Sequence, residues 1–211
     1  MNLEIVKPFQ NRPKTSDFLI DTGYLSQLDN WAKYHGSGSR QCRLTSYCNA
    51  IDYVLNGDLK RQALARGYEE AEDLYGEALR TRFGGDTTEA EPNTLCAAYF
   101  GVEGYFTTTA SENDVATCLY LGVPVPIGVR YKTSGHWITA VGRDKDGFSI
   151  DDPYGTRLGT SDSYNIGKGG NNDHVSWSWL KSCFTDLGDE SGYAFLITKV
   201  RGVPTGVKHG L

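Results

Sequence analysis

"GHWITAVGRDKDGFSIDDPYG", residues 135 to 155, contains two short β-rich segments joined by a turn. Isoleucine, valine, threonine and aromatic residues favour strands in "HWITAVG" and "GFSI", while "RDKDG" between them has the Asp and Gly of a hairpin turn. Antiparallel pairing sets the start of the first strand beside the end of the second. His136 is therefore expected next to Asp151 and Asp152. Adjacent strand residues face opposite sides, so only one of the two aspartates can point at the imidazole. Asp152, held extended by Pro153, is the expected one. "DKDG" lacks the remainder of a twelve-residue calcium loop with its closing Glu, and reads as a turn.

Outward from this hairpin, "VPVPIGVRY" (123 to 131) and "GYAFLITKV" (192 to 200) read as further strands, and "WSWLKSCF" (177 to 184) as a short helix. Residues 43 to 122 read mainly as helix. The expected spans are 43 to 55, 58 to 82, 93 to 100 and 111 to 122. In the second, Leu64, Tyr68, Ala71, Leu74, Tyr75, Ala78 and Leu79 are the apolar positions, and the last is opened by Ser111 with Asp114 three residues on. "YHGSGSR" (34 to 40) and "NIGKGGNND" (165 to 173) read as loops that could wall a site. Helices first and antiparallel strands second predict an α+β domain with a cleft between its halves.

Of the 211 residues, 39% are hydrophobic and 22% charged, and no apolar run reaches the roughly 18 to 20 residues that span a bilayer. Membrane insertion is not expected. The 21 Lys and Arg are scattered and the net charge is −5, which argues against nucleic acid as a partner. "MNLEIVKPFQNRPKTSD" has no basic segment followed by an apolar core, so the expected place of synthesis is the cytoplasm, without a secretory signal. Five cysteines form no CxxC pair, and four histidines supply no cluster with zinc spacing. Free thiols, no metal and no cofactor are the expectation.

Two of the cysteines lie in "SRQCRLTSYCNAIDYVL" (39 to 55). Leu44, Tyr47, Cys48, Ile51 and Leu55 form one apolar stripe at helical spacing, which assigns Cys48 to the core. Cys42 precedes the stripe, in the first turn, where unpaired N–H groups and the macrodipole favour a thiolate. Cys96, Cys118 and Cys183 fall in apolar segments and read as core. A thiol nucleophile needs a base, and the base needs an acceptor on its other ring nitrogen. His136 is the best placed of the histidines: His35 is in a loop, His174 in a polar segment and His209 in a tail.

These pieces together resemble the papain-like C39 peptidase group, in particular C39-like domains of bacterial and phage cell-wall lytic enzymes. The resemblance rests on "YLSQLDN" (24 to 30), "CRLTSYCNAIDYVL" (42 to 55), "LGVPVPIGV" (121 to 129), the 135 to 155 hairpin and "GYAFLIT" (192 to 198). It implies a papain-like fold over residues 23 to 200, with an extension at 1 to 22 and a tail at 201 to 211. It implies Cys42 as nucleophile, His136 as general base and then acid, and Asp152 as the residue that orients the imidazole. Gln27 and the backbone N–H of Cys42 would be the oxyanion donors, and Trp137 and Tyr154 would touch substrate. Arg43-Leu44 stands where many relatives have Gly-Pro. The implied partner is a peptide, foremost a peptidoglycan stem or cross-bridge, hydrolysed by a monomer acting on the cell wall after release. The same triad would also serve an amidase or a transglutaminase-like acyl transferase, and a silent papain-like fold would serve as a binding module.

Overall fold

The structure is a computed structural model and describes residues 4–5, 17–30, 38–85, 88–131, 134–159, 163–184 and 192–208. Helix α1 (Cys42–Val54) follows a 3-10 turn at Gly38–Arg40, and Gln41 caps it without a side-chain hydrogen bond. The predicted stripe is buried, and so are Thr45, Ser46, Asn49 and Ala50. The helix is thus enclosed around most of its circumference. Fully burying a side chain the size of Leu or Ile contributes about 1.5–3 kcal/mol, so α1 is held by packing more than by propensity. Tyr47 stacks on Phe195 at 4.5 Å and meets Trp137 at 5.8 Å.

The span predicted as one helix over 58 to 82 is two, α2 (Asp58–Ala65) and α3 (Ala71–Phe83). Gly67, at φ +83°, breaks it, and the Tyr68 N–H turns back to the Ala63 carbonyl. Leu64, expected on the apolar face, is 54% exposed. Helix α4 (Ala90–Tyr99) begins three residues before the expected start, and α5 (Glu112–Tyr120) is opened by the Ser111–Asp114 capping box. Helix α6 spans Trp177–Phe184 as expected.

Eleven strands are present among the described residues: β1 (Glu4–Ile5), β2 (Phe18–Leu19), β3 (Val102–Ala110), β4 (Val125–Tyr131), β5 (Ser134–Arg143), β6 (Gly147–Asp152), β7 (Thr156–Arg157), β8 (Tyr164–Asn165), β9 (Gly170–Ser176), β10 (Gly192–Val200) and β11 (Val203–Pro204). Antiparallel pairing runs β3, β10, β4, β5, β6, β9 across the main sheet. β2 pairs β5 at Gly142 and Arg143, beyond the last β4 partner at Ala140, and β1 pairs β2 in parallel. β7 and β8 form a separate small ribbon. Helix α1 packs against β4 and β5, and α6 against β4.

Seven strands fall outside the expected pattern: the two-residue strands β1, β2, β7, β8 and β11, and two longer ones. β3 lies within the half read as helical, although its "YFTTT" is β-branched and aromatic. β9 occupies part of the segment read as a loop, because an edge strand needs no apolar alternation when much of its surface faces water. The Asp144 carboxylate accepts from the N–H groups of Asp146 and Gly147, which makes "DKDG" the hairpin turn it was expected to be. Residues 34 to 37 of the first loop, His35 and His209 lie outside the described residues.

Candidate active site

Register decides which aspartate meets His136. Thr139 of β5 stands opposite Asp151 of β6, so strand parity puts Asp152 on the face shared by Ile138 and His136. His136 Nε2 lies 2.7 Å from Asp152 Oδ1, with the two side chains 12% and 1% exposed. Nδ1 is left for the Cys42 thiol, with which His136 shares a hydrogen bond. The three side chains form one chain of contacts from a strand end to a helix start.

Burial alone would raise the Cys42 pKa, but the hydrogen bond and charge of His136, with backbone N–H groups of Trp137 and Arg43, bring it below the ordinary thiol value. Burial alone would lower the His136 pKa, but the charge and hydrogen bond of Asp152, joined by those of Cys42, raise it to about 10. Both shifts favour a thiolate beside an imidazolium.

Asp152 is itself held from several sides. Its Oδ1 also accepts from the Tyr154 N–H at 3.0 Å, and its carbonyl accepts the Tyr24 hydroxyl at 2.9 Å and the Gly155 N–H at 3.2 Å. Asp151 serves a different purpose. Buried on the opposite face, it accepts from Thr22 Oγ1 at 2.5 Å, Asn49 Nδ2 at 3.0 Å and the Asn172 N–H at 2.9 Å. It ties α1, β6, β9 and the segment before Tyr24 together, and burial raises its pKa despite those donors.

Gln27 is 1% exposed, and its two hydrogen bonds place it between the turn before Cys42 and the loop after Asp152. Its Nε2 donates to the Gly38 carbonyl, in the turn leading to Cys42, and its backbone N–H to the Pro153 carbonyl at 2.9 Å. A cleft of about 500 Å³ opens beside Cys42, His136 and Trp137. Tyr154 is not among the described residues that line it. Its ring packs edge-on against Tyr164 at 5.0 Å, and Tyr164 in turn meets the His136 ring at 6.2 Å.

Other lining residues escaped the sequence reading: Arg43, Arg130, Tyr193 and Cys183, the last buried as expected but facing the cleft. Arg43, directly after Cys42, carried the signal in its position. Tyr193 and Arg130 come from strands whose faces no local pattern identifies. Among the described residues no group of three or more His, Cys, Asp or Glu is placed to hold a metal ion, and no helix is long and apolar enough to cross a membrane.

Gly170 pairs with Asp152 across β6 and β9 and leaves no room for a side chain. A Cβ there would lie 2.4 Å from the Asp152 carbonyl, 2.6 Å from that of Gly155 and 2.9 Å from Asp152 Cβ. Because these are largely backbone atoms, Gly170→Ala must push β9 and Asp152 apart, at about 1–3 kcal/mol for overpacking. The expected outcome is a lowered thermal midpoint together with slower alkylation of Cys42, measured at a temperature where the variant is folded. A variant of unchanged stability and thiol reactivity would show that the two strands can separate freely.

No family model and no curated protein matches the chain. Among solved structures, the chain is similar to a candidate C39-like peptidase from Bacillus anthracis, with a TM-score of 0.50 and 12% sequence identity. The alignment covers 87% of this chain and 98% of that one. The chain therefore has the mixed helix and antiparallel-sheet fold of a C39-like peptidase.

Proposed function

We propose that this chain is a papain-like cysteine peptidase in which Cys42, His136 and Asp152 carry the reaction. One observation supports the reading above all: a half-buried thiol at a helix start, an imidazole and a buried carboxylate stand in unbroken contact beside an open cleft. The C39-like fold agrees with it. In this reading the Cys42 thiolate attacks the peptide carbonyl carbon and a tetrahedral oxyanion forms. The His136 imidazolium gives its proton to the leaving amine, and the C–N bond breaks to leave a thioester. His136, now neutral, takes a proton from water, which attacks the thioester and releases the acid and the thiolate. Asp152 keeps Nδ1 aimed at sulfur throughout.

The oxyanion would be met by the backbone N–H of Cys42, at the uncapped start of α1, and by the Gln27 amide hydrogen not used on Gly38. Losing such a donor typically costs about 10²–10³ in rate. Trp137 would form one wall for substrate.

The substrate we propose is a peptidoglycan stem peptide or cross-bridge, on the resemblance to cell-wall lytic enzymes. Digestion of purified peptidoglycans with wild type and Cys42→Ala, followed by mass analysis of released fragments, tests both steps. New amino and carboxyl termini produced by wild type alone are the expected result. Release of intact stem peptides would instead identify an amidase, and absence of products from every wall would remove peptidoglycan as the substrate.

A further inference from the structure

Arg43 follows the candidate nucleophile directly, and the mechanism above uses only its backbone. Its guanidinium lies across the Trp137 ring at 4.5 Å and the Phe106 ring at 5.6 Å, and one Nη donates to the Thr88 carbonyl. Aromatic faces and a carbonyl can hold a guanidinium in place, but they do not neutralise it. Among the described residues no carboxylate pairs with it, and its Nε is buried without an acceptor.

The position is also the wrong one for a cation with a structural task. Arg43 is the second residue of α1, where the macrodipole favours negative charge, and the first turn contains no acidic residue. Arg40 and Arg130 line the same cleft, and no Asp or Glu does so among the described residues. In a chain of net charge −5, scattered charges would leave such a wall acidic or neutral. This cleft instead has three arginines in its lining; Arg40 and Arg130 have interactions of their own, and Arg43 is the one with no carboxylate partner among the described residues.

We infer that the cleft takes a peptide bearing a carboxylate next to the scissile bond, and that Arg43 is the specificity-determining residue that binds this carboxylate. The inference rests on Cys42 being the nucleophile. The Cys42 thiolate is the negative charge already beside Arg43; a substrate carboxylate supplies the partner that the described residues do not, and the planar fork of Arg43 can receive both of its oxygens. The stacking on Trp137 keeps that fork oriented before substrate arrives.

Two small alkylating agents of equal reach and different charge test this without any substrate in hand. Iodoacetate carries a carboxylate beside its reactive carbon and iodoacetamide does not. Rate constants at Cys42 are measured for both by mass spectrometry, and their ratio is compared with that for free cysteine. In wild type at low ionic strength the ratio should exceed that of free cysteine by about fivefold or more, as expected for one charge pair at short range. It should fall as salt is added, collapse in Arg43→Gln and survive largely in Arg43→Lys.

A wild-type ratio equal to that of free cysteine, or one unchanged in Arg43→Gln, overturns the inference while leaving the nucleophile in place. Should Cys42 react no faster than the other four thiols with either reagent, the nucleophile reading falls and takes this inference with it. If the glutamine variant does not fold, Arg43→Met, which keeps an unbranched stem against Trp137 without the charge, replaces it, and an unchanged ratio there overturns the inference in the same way.

Discussion

Cys42→Ala is expected to lower peptide hydrolysis by roughly 10⁴-fold or more, because the other thiol that lines the cleft, Cys183, is buried and its pKa is pushed up to about 12. Its stability should change little, since Cys42 is only partly buried at the outer end of α1. Cys48→Ala should do the reverse. That side chain is fully buried, and burial holds its pKa well above the ordinary thiol value. Removing its sulfur should cost about 1 kcal/mol through the small cavity left behind, with hydrolysis retained. Activity assays and urea midpoints on both variants separate the two roles. An active Cys42→Ala protein would end the nucleophile assignment.

The same pair of shifts gives the reaction a pH dependence of known sign. A thiol pKa below its ordinary value means that alkylation of Cys42 should rise at lower pH than that of an unfolded cysteine, which titrates near about 8.5. Hydrolysis needs the imidazolium proton as well, so it should fall as pH climbs through the His136 value of about 10 while alkylation continues. A hydrolysis profile that tracked alkylation through that range would show that His136 does not supply the leaving-group proton.

Asp152→Ala carries the second large effect, an expected loss of about 10²–10⁴ in kcat/KM. Without the carboxylate 2.7 Å from Nε2 the imidazole loses both its orientation and the charge that raises its pKa. Alkylation of Cys42 should then move to higher pH. Asp151→Ala is the internal control, because the two residues are adjacent in sequence and differ in the face they occupy. It leaves Asn49 Nδ2 and the Asn172 N–H without their acceptor inside the protein. A loss of about 3 kcal/mol in unfolding free energy is expected. Measured together, denaturation midpoints and alkylation profiles should show one variant that is stable with a shifted thiol and another that is unstable with a less perturbed thiol. Exchanged results would mean that the register between β5 and β6 is one residue out.

Much of this arrangement was legible because its signals are local. Periodicity put Cys48 in the core and left Cys42 at the helix start, and the Ser111–Asp114 spacing gave the cap of α5. The hairpin brought His136 toward the aspartates by connectivity alone. What failed to read locally had a different cause in each case. The span over 58 to 82 reads as one helix because its apolar positions, the exposed Leu64 among them, outweigh the single Gly67 that breaks it. β9 was hidden because a polar edge strand takes its identity from its partner β6, which no window of its own sequence contains.

The sequence by itself determined the elements whose physics is complete within a dozen residues: the amphipathic α1, the β5–β6 hairpin and the acidic pair at its end. The tertiary structure decided matters that depend on distance between segments far apart in the chain. Strand register chose Asp152 over Asp151, since parity is a property of two strands and not of one. The packing of α1 on the sheet brought Cys42, 94 positions from His136 along the chain, into contact with the imidazole. The same packing set Arg43 against Trp137. Charge, exposure and pairing at these points are sums over neighbours that only folding brings together.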